Sequence, residues 1–165
     1  MLGAIELVVV PAVFSNVPAL VMLEAVEAPR RMSLSSVMSY SPVDVLVKVA
    51  VAGGATLEAD NTVAAGQTFV YTANSTGEFA LDDLDVGGSS VFSGAISGFA
   101  AGDTLEVGGF GTGTTFVYHP TGTDTGQLQL TDNTLKANID FTGAVYSTSS
   151  FTPHIGTTSS TFTFA

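Results

Sequence analysis

The 165-residue chain has no cysteine, no tryptophan and only 4 basic residues against 15 acidic ones. Without cysteine it can form neither a disulfide nor a thiolate metal site. At a formal net charge of −11 it would be repelled by a phosphate backbone, which argues against a nucleic-acid partner. The most apolar stretch, "MLGAIELVVVPAVFSNVPALVML", is interrupted by Glu6, Pro11, Ser15, Asn16 and Pro18. Two prolines and a carboxylate make it a poor membrane helix. It has no Lys or Arg ahead of its apolar part, and "LEAVEA" is a loose cleavage site, so it also fits a secretory leader poorly. There is no GxSxG elbow, Walker loop or metalloprotease helix motif.

Charge is unevenly spread. Residues 1–50 carry four acids (Glu6, Glu24, Glu27, Asp44) and three bases (Arg30, Arg31, Lys48), whereas residues 51–165 carry eleven acids and a single base, Lys136. Two compositions therefore meet near residue 50. Residues 1–50 read as an atypical apolar segment: a cap, irregular strands or poorly ordered chain. Within it, "EAPRRMS" reads as a solvated turn.

Residues 51–165 are regular. Eighteen glycines with many Ser and Thr suit strands and turns better than helices. The phrase "TFVY" occurs at 68–71 and again at 115–118. Around it, "ATLEA" (55–59) matches "DTLEV" (103–107), "GEFALDD" (77–83) matches "GQLQLTD" (126–132), and "FSGA" (92–95) matches "FTGA" (141–144). Four matches in one order define two repeat units, 55–102 and 103–152, followed by a C-terminal strand in 153–165.

Each unit divides again. One series of apolar positions runs Leu57, Phe79, Leu105, Leu128, and a second runs Phe69, Phe92, Phe116, Ile139, both stepping by about 23 residues. Leu81, Leu130 and Phe141 complete the inward set, because "EFAL", "QLQL" and "LKANIDF" alternate apolar with polar residues. Turns are expected at "AAGQ", "NSTGE", "VGGSS", "AAGD", "GTGT" and "GTDTG", where glycine supplies positive φ. The spacing predicts an all-β fold, a parallel β-solenoid with coils of about 23 residues, with a β-sandwich as the alternative. The repeat is then a structural requirement: one coil cannot bury its apolar row alone.

Candidate chemistry is sparse. Asp82, Asp83 and Asp85 in "LDDLD", with Glu78 nearby, offer hard oxygen ligands that could take calcium, but neither the calcium β-roll repeat nor an EF-hand loop is present. His119 and His154 are the only histidines, and spacing supplies no third ligand or partner. Asp103 and Glu106 flank "TL" and fall on opposite strand faces, as a turn cap and a surface charge rather than a catalytic pair. "GGFGTGTT" (108–115) lacks the lysine of a phosphate loop and reads as a flexible turn. Tyr71, Tyr118 and Tyr146 either stack sugars or pack the core, and the matched places of the first two favour packing.

The stretch "GGATLEADNTVAAGQTFVYTANSTGEFALDDLDVGGSSVFSGAISGFAAGDTLEVGGF" resembles repeat segments of exported proteobacterial surface proteins, passenger-like and adhesin-like, with β-solenoid stalks. Such segments read like a "TLEL" strand, a "VAAGQT" turn, a "LKLDDP" strand and "FSGTISGFAAGDTIDL". Their counterparts here are Thr56–Ala59, Val63–Thr68, Phe79–Asp83 and Phe92–Val107. The likeness spans about residues 53–152 and is most specific at "SGFAAGDTLEV". In place of the family's glycine-rich acidic end, "SDGHGGT", this chain has "PHIGTTSS" (153–160), and residues 1–50 match no part of the pattern.

The resemblance implies a secreted or cell-surface, outer-membrane-associated structural module, without catalytic residue or cofactor, acting as a stalk or adhesion surface. Surface glycans, other surface proteins and end-to-end self-association are the partners it implies. A carbohydrate- or calcium-binding module is the alternative, and a polysaccharide-degrading enzyme the last.

Overall fold

The computed structural model describes residues 21–24, 31–33, 47–51, 54–59, 63, 67–74, 76–81 and 92–165. In these residues the chain is all-β, with no α-helix among them. The strands are β1 (Val21–Glu24), β2 (Arg31–Ser33), β3 (Val47–Val51), β4 (Thr56–Ala59), β5 (Thr68–Tyr71), β6 (Glu78–Leu81), β7 (Ala95–Ser97), β8 (Thr104–Gly108), β9 (Thr115–Pro120), β10 (Thr125–Asp132), β11 (Leu135–Thr142), β12 (Phe151–Ile155) and β13 (Ser159–Phe164). A short 3-10 turn, η1 (Thr148–Ser150), precedes β12.

The strands form two mixed sheets, neither closed, in a sandwich-like arrangement. The first has the order β1-β3-β5-β7-β11-β10-β9 and the second β12-β13-β8-β6-β4-β2. From β1 to β8 the chain alternates between the sheets, and each strand pairs in parallel with the strand two elements earlier. In the second sheet Met32, Leu57, Phe79 and Leu105 stand in one register row. In the first, Val49, Phe69, Ile96 and Phe141 do so. The strands β1, β2 and β3 extend these same two sheets.

Beyond β8 the pairing changes. β9, β10 and β11 are consecutive in one sheet and mutually antiparallel, while β11 still lies parallel to β7. β13 runs antiparallel to β8, and β12 antiparallel to β13. The expected 23-residue step therefore does not continue through 103–152. Leu128 lies in the first sheet, opposite Tyr118 and Ile139, not in the row of Leu105, whose next neighbour is Phe162. Phe69, Phe92, Phe116 and Ile139 do not form one file either. Phe92 makes a parallel bridge with Val63, and Phe116 faces Leu130.

The reason is local. Residues 121–124 turn the chain back on itself, closed by Thr121 N–H and Gly122 N–H on the Thr125 carbonyl at 2.9 and 3.2 Å. Asn133 and Thr134 then make a two-residue hairpin loop, with Asn133 at φ 53°. Asn tolerates this left-handed conformation because its short polar side chain bonds locally. Two tight turns leave no length to cross to the other sheet.

The core between the sheets is almost wholly apolar. Strand alternation puts Leu57, Phe69, Phe79, Leu81, Phe92, Leu105, Leu128, Leu130, Ile139 and Phe141 inside; Phe116, near the open edge, is only partly buried. Phe69 of the first sheet stacks on Phe79 of the second, ring centroids 4.3 Å apart. Phe99, from the loop before β8, touches Tyr71, Phe141, Phe151 and Phe164 and so ties both regions together. Each such side chain contributes about 1.5–3 kcal/mol through burial.

Candidate functional site

The outward face of β9, β10 and β11 gathers hydrogen-bonding and charged side chains. Strand alternation that turns Leu128, Leu130, Ile139 and Phe141 inward turns Gln127, Gln129, Asn138 and Asp140 outward. Antiparallel register then sets them in rows: His119–Gln127–Asp140, Val117–Gln129–Asn138 and Thr115–Thr131–Lys136. The Gln127 amide donates to Asp140 Oδ1 at 2.9 Å, and the Gln129 amide donates to Gln127 Oε1 at 2.9 Å. The result is an amide platform, flat in register, with one ammonium at a corner and the exposed Val117 as its apolar spot. It can hydrogen-bond hydroxyl or amide groups. His119 and Asp140 are two strand spacings apart, about 10 Å, so they cannot act as a directly bonded acid–base dyad.

The other candidates are placed apart. His154 lies on β12 in the second sheet, so the two histidines do not converge. No group of three or more His, Asp or Glu side chains among the described residues could hold a metal ion. Asp82, Asp83 and Asp85 lie outside the described residues. Glu106 faces outward on β8, half-buried, whereas Asp103 points inward at 1 % exposure. Asp103 Oδ2 accepts the Ala100 N–H at 2.9 Å while its own N–H donates to the Ala100 carbonyl at 3.0 Å. These reciprocal bonds make Asp103 the clasp of the "AAGD" turn.

Asp132 has the same kind of role, which the sequence reading missed. Buried at the end of β10, its Oδ2 accepts the Gly111 N–H at 2.9 Å. This overturns the expectation that "GGFGTGTT" is a flexible turn. A Cβ at Gly111 would lie 2.3 Å from the Thr157 carbonyl oxygen, and one at Gly113 2.5 Å from Asp132 Oδ1. The buried Ser160 hydroxyl donates to the Phe110 carbonyl at 2.7 Å. Glycine serves here for close approach, and the loop is pinned. The signal available was an Asp at the end of an alternating strand, "LQLTD", where the alternation itself turns it inward.

The three tyrosines are packed. Tyr71, Tyr118 and Tyr146 are 2, 5 and 3 % exposed, so their rings have no free face for a sugar. The Tyr71 hydroxyl donates to the Thr104 carbonyl at 2.6 Å and that of Tyr146 to the Phe99 carbonyl at 2.9 Å. The Tyr118 hydroxyl is buried with no hydrogen-bond partner and lies over Gly126, where a Cβ would come within 2.2 Å of it. Burial raises all three phenol pKa values. Tyr71 is pushed well above the usual phenol range, with the nearby Asp103 carboxylate adding to the effect. Tyr146 is pushed up to about 12, with Tyr118 and Asp103 adding. Tyr118 rises too, with help from Asp140.

No helix among the described residues is long and apolar enough to cross a membrane. Comparison of the chain with protein-family profiles, with curated proteins and with solved structures returns no significant match.

Proposed function

We propose that this chain is a non-enzymatic structural repeat module of a secreted or cell-surface bacterial protein, outer-membrane associated, wound as a parallel β-solenoid over β1–β8 and serving as a stalk or adhesion surface. The observation that carries this reading is the alternation of successive strands between two sheets with parallel, in-register partners. A ribbon wound this way stacks equivalent apolar residues, so that each turn covers the next. Its output is a stiff body whose outward rows are polar and repetitive. Within the fold the buried Asp103 and Asp132 carboxylates clasp turns, and Tyr71, Tyr118 and Tyr146 pack the core.

Winding is tested by cross-linking, because the chain has no cysteine of its own. Thr56 and Glu78 are in-register neighbours on β4 and β6, both outward and half-buried. Parallel neighbours sit about 4.8 Å apart, within the Cα range of a disulfide. The pair Thr56→Cys/Glu78→Cys should oxidise to an intramolecular disulfide, and so should Val70→Cys/Ser97→Cys on the first sheet. Failure of both pairs in folded protein sinks the wound reading.

A second reading, a carbohydrate-binding surface, is favoured by the amide platform of Gln127, Gln129 and Asn138, whose hydrogen-bonding groups suit sugar hydroxyls. Cell-surface glycans or other surface proteins are the partners it points to. A glycan array with the native chain and with Gln127→Ala/Asn138→Ala decides it: binding abolished by the double substitution supports it, and no binding by the native chain removes it. Calcium at Asp82, Asp83 and Asp85 is the remaining variant, tested by calorimetric titration.

A further inference from the structure

At the β9/β12 end of the molecule, we infer that the chain carries a built stop against strand addition, so that a second copy cannot extend either sheet there. β9 is the last strand of the first sheet and β12 the last of the second. An edge strand normally offers every second N–H and C=O to an incoming strand, which makes it a template for association. Which groups face outward follows from the phase of the antiparallel ladder, in which hydrogen-bonded and non-hydrogen-bonded pairs alternate.

In β12 the phase is set by Gly156 N–H on the Ser159 carbonyl at 2.9 Å and Ala165 N–H on the Ser150 carbonyl at 3.0 Å. His154–Thr161 and Thr152–Thr163 are then the bonded pairs. The nitrogens of Phe151, Pro153 and Ile155 face the open edge. Phe151 N–H is already spent on the Thr148 carbonyl, and Pro153 has no N–H. In β9 the phase is set by Thr121 N–H on the Thr125 carbonyl at 2.9 Å. His119–Gln127 and Val117–Gln129 are bonded pairs, so the nitrogens of Phe116, Tyr118 and Pro120 face outward. Tyr118 N–H donates to Thr148 Oγ1 at 3.0 Å, and Pro120 has no N–H.

Both edges are therefore disarmed in the same way. Each presents three outward nitrogens, of which one is a proline and one is satisfied by Thr148. Thr148 serves both sheets, its hydroxyl oxygen accepting from β9 and its carbonyl from β12. One outward donor remains per edge, at Phe116 and Ile155, too few for a ladder. This stop gives the proposed stalk a sealed end, and it deepens that reading only in this sense. The edge chemistry stands on the strand register, and its test is separate from the Thr56/Glu78 cross-link.

The test uses the full chain with His154→Cys as the single thiol, on an exposed position of β12. Under mild oxidation this reporter should form little intermolecular disulfide. Adding Pro120→Thr, Thr148→Ala and Pro153→Thr should raise the yield several-fold, with a concentration-dependent dimer in sedimentation velocity. Strong cross-linking with both prolines and Thr148 in place overturns the stop, as does an unchanged low yield in the folded triple variant. If the triple variant loses its β circular-dichroism spectrum, Pro153→Thr alone carries the test. That proline is exposed and its nitrogen lies outside the ladder, so a folded variant without a rise in yield overturns the stop equally.

Discussion

The two copies of "TFVY" lie in the same sheet and behave oppositely. β5, which holds the first, has parallel partners on both sides, β3 and β7. β9, which holds the second, is an antiparallel edge. The difference begins just after the shared tyrosine. After Tyr71 the chain passes through 72–77 to β6 of the other sheet, whereas after Tyr118 the strand runs on through His119 and Pro120 and doubles back over 121–124. The partner phrases consequently part company: "EFAL" sits in the second sheet with parallel neighbours, "QLQL" in the first with antiparallel ones. A strand phrase fixes which residues point inward, and the connector decides which sheet receives it.

The largest expected effect separates the two regions by their cores. Phe79 is fully buried between two parallel partners and stacked on Phe69. Phe79→Ala should cost about 3–5 kcal/mol, a large share of the stability of a single domain. Phe116 occupies an edge, partly buried, with an edge-on contact to Phe162 at 5.2 Å. Phe116→Ala should cost about 1–2 kcal/mol. Urea unfolding of both variants measures the gap, and equal losses would mean that the edge is as deeply packed as the centre.

That contrast also marks what the sequence could tell. The inward residues were legible from period-two alternation, because a pleated strand must place Leu128, Leu130, Ile139 and Phe141 on one face whatever its partners. Direction was not legible, because alternation is identical in parallel and antiparallel pairing. The deciding signals were the turn at 121–124, just before the repeat match "GQLQLTD", and the hairpin at Asn133–Thr134, directly after it. The 23-residue spacing between Leu105 and Leu128 suggests one coil returning to the same sheet, whereas the chain crosses to the first sheet at β9 and doubles back within it, leaving Leu128 in the sheet opposite Leu105. Among the candidate residues, the turn cap expected at Asp103 agrees with its geometry, since a carboxylate following Ala-Ala-Gly fits a turn clasp. The platform needs β9, β10 and β11 side by side, so no pattern along the chain could reveal it. Pro120 and Pro153 were legible in principle, since proline inside a strand marks an edge.

Alkali probes the tie between the two regions. Tyr71 and Tyr146 both lie near Asp103, one from each repeat unit, and both have raised pKa values in the folded state. An unfolded phenol titrates near pH 10. A folded pKa above the unfolded value means that the stabilising difference is fully present below about pH 10 and is lost as pH rises toward the folded values. The denaturant midpoint should therefore hold steady up to about pH 10 and fall above it, with the phenolates of Tyr71 and Tyr146 appearing only as the protein unfolds. Smooth titration of Tyr71 and Tyr146 without loss of structure would show that these hydroxyls reach water.

A smaller effect sharpens the hairpin. Asn133→Ala removes the residue that tolerates positive φ and should cost about 1–2 kcal/mol, while Asn133→Gly, free of that penalty, should change stability by only a few tenths. Equal losses in thermal melts would move the cause from backbone conformation to the Asn133 side-chain bond with Asp132.

The finest comparison sets the repeated tyrosines against each other by removing one oxygen. The Tyr71 hydroxyl bonds the Thr104 carbonyl across the sheets, so Tyr71→Phe should cost about 0.5–1.5 kcal/mol and leave that carbonyl short of a partner. The Tyr118 hydroxyl is buried, bonds nothing and crowds Gly126. Removing it takes an uncompensated polar group out of the core, so Tyr118→Phe should be neutral or slightly stabilising. The two substitutions are chemically identical and fall on the same letter of the same phrase. Their difference in melting temperature therefore isolates what the change of partner strand did to that position. A loss at Tyr118 as large as that at Tyr71 would mean that its hydroxyl has a partner, such as a bound water, and that the two copies are closer in structure than their strand directions suggest.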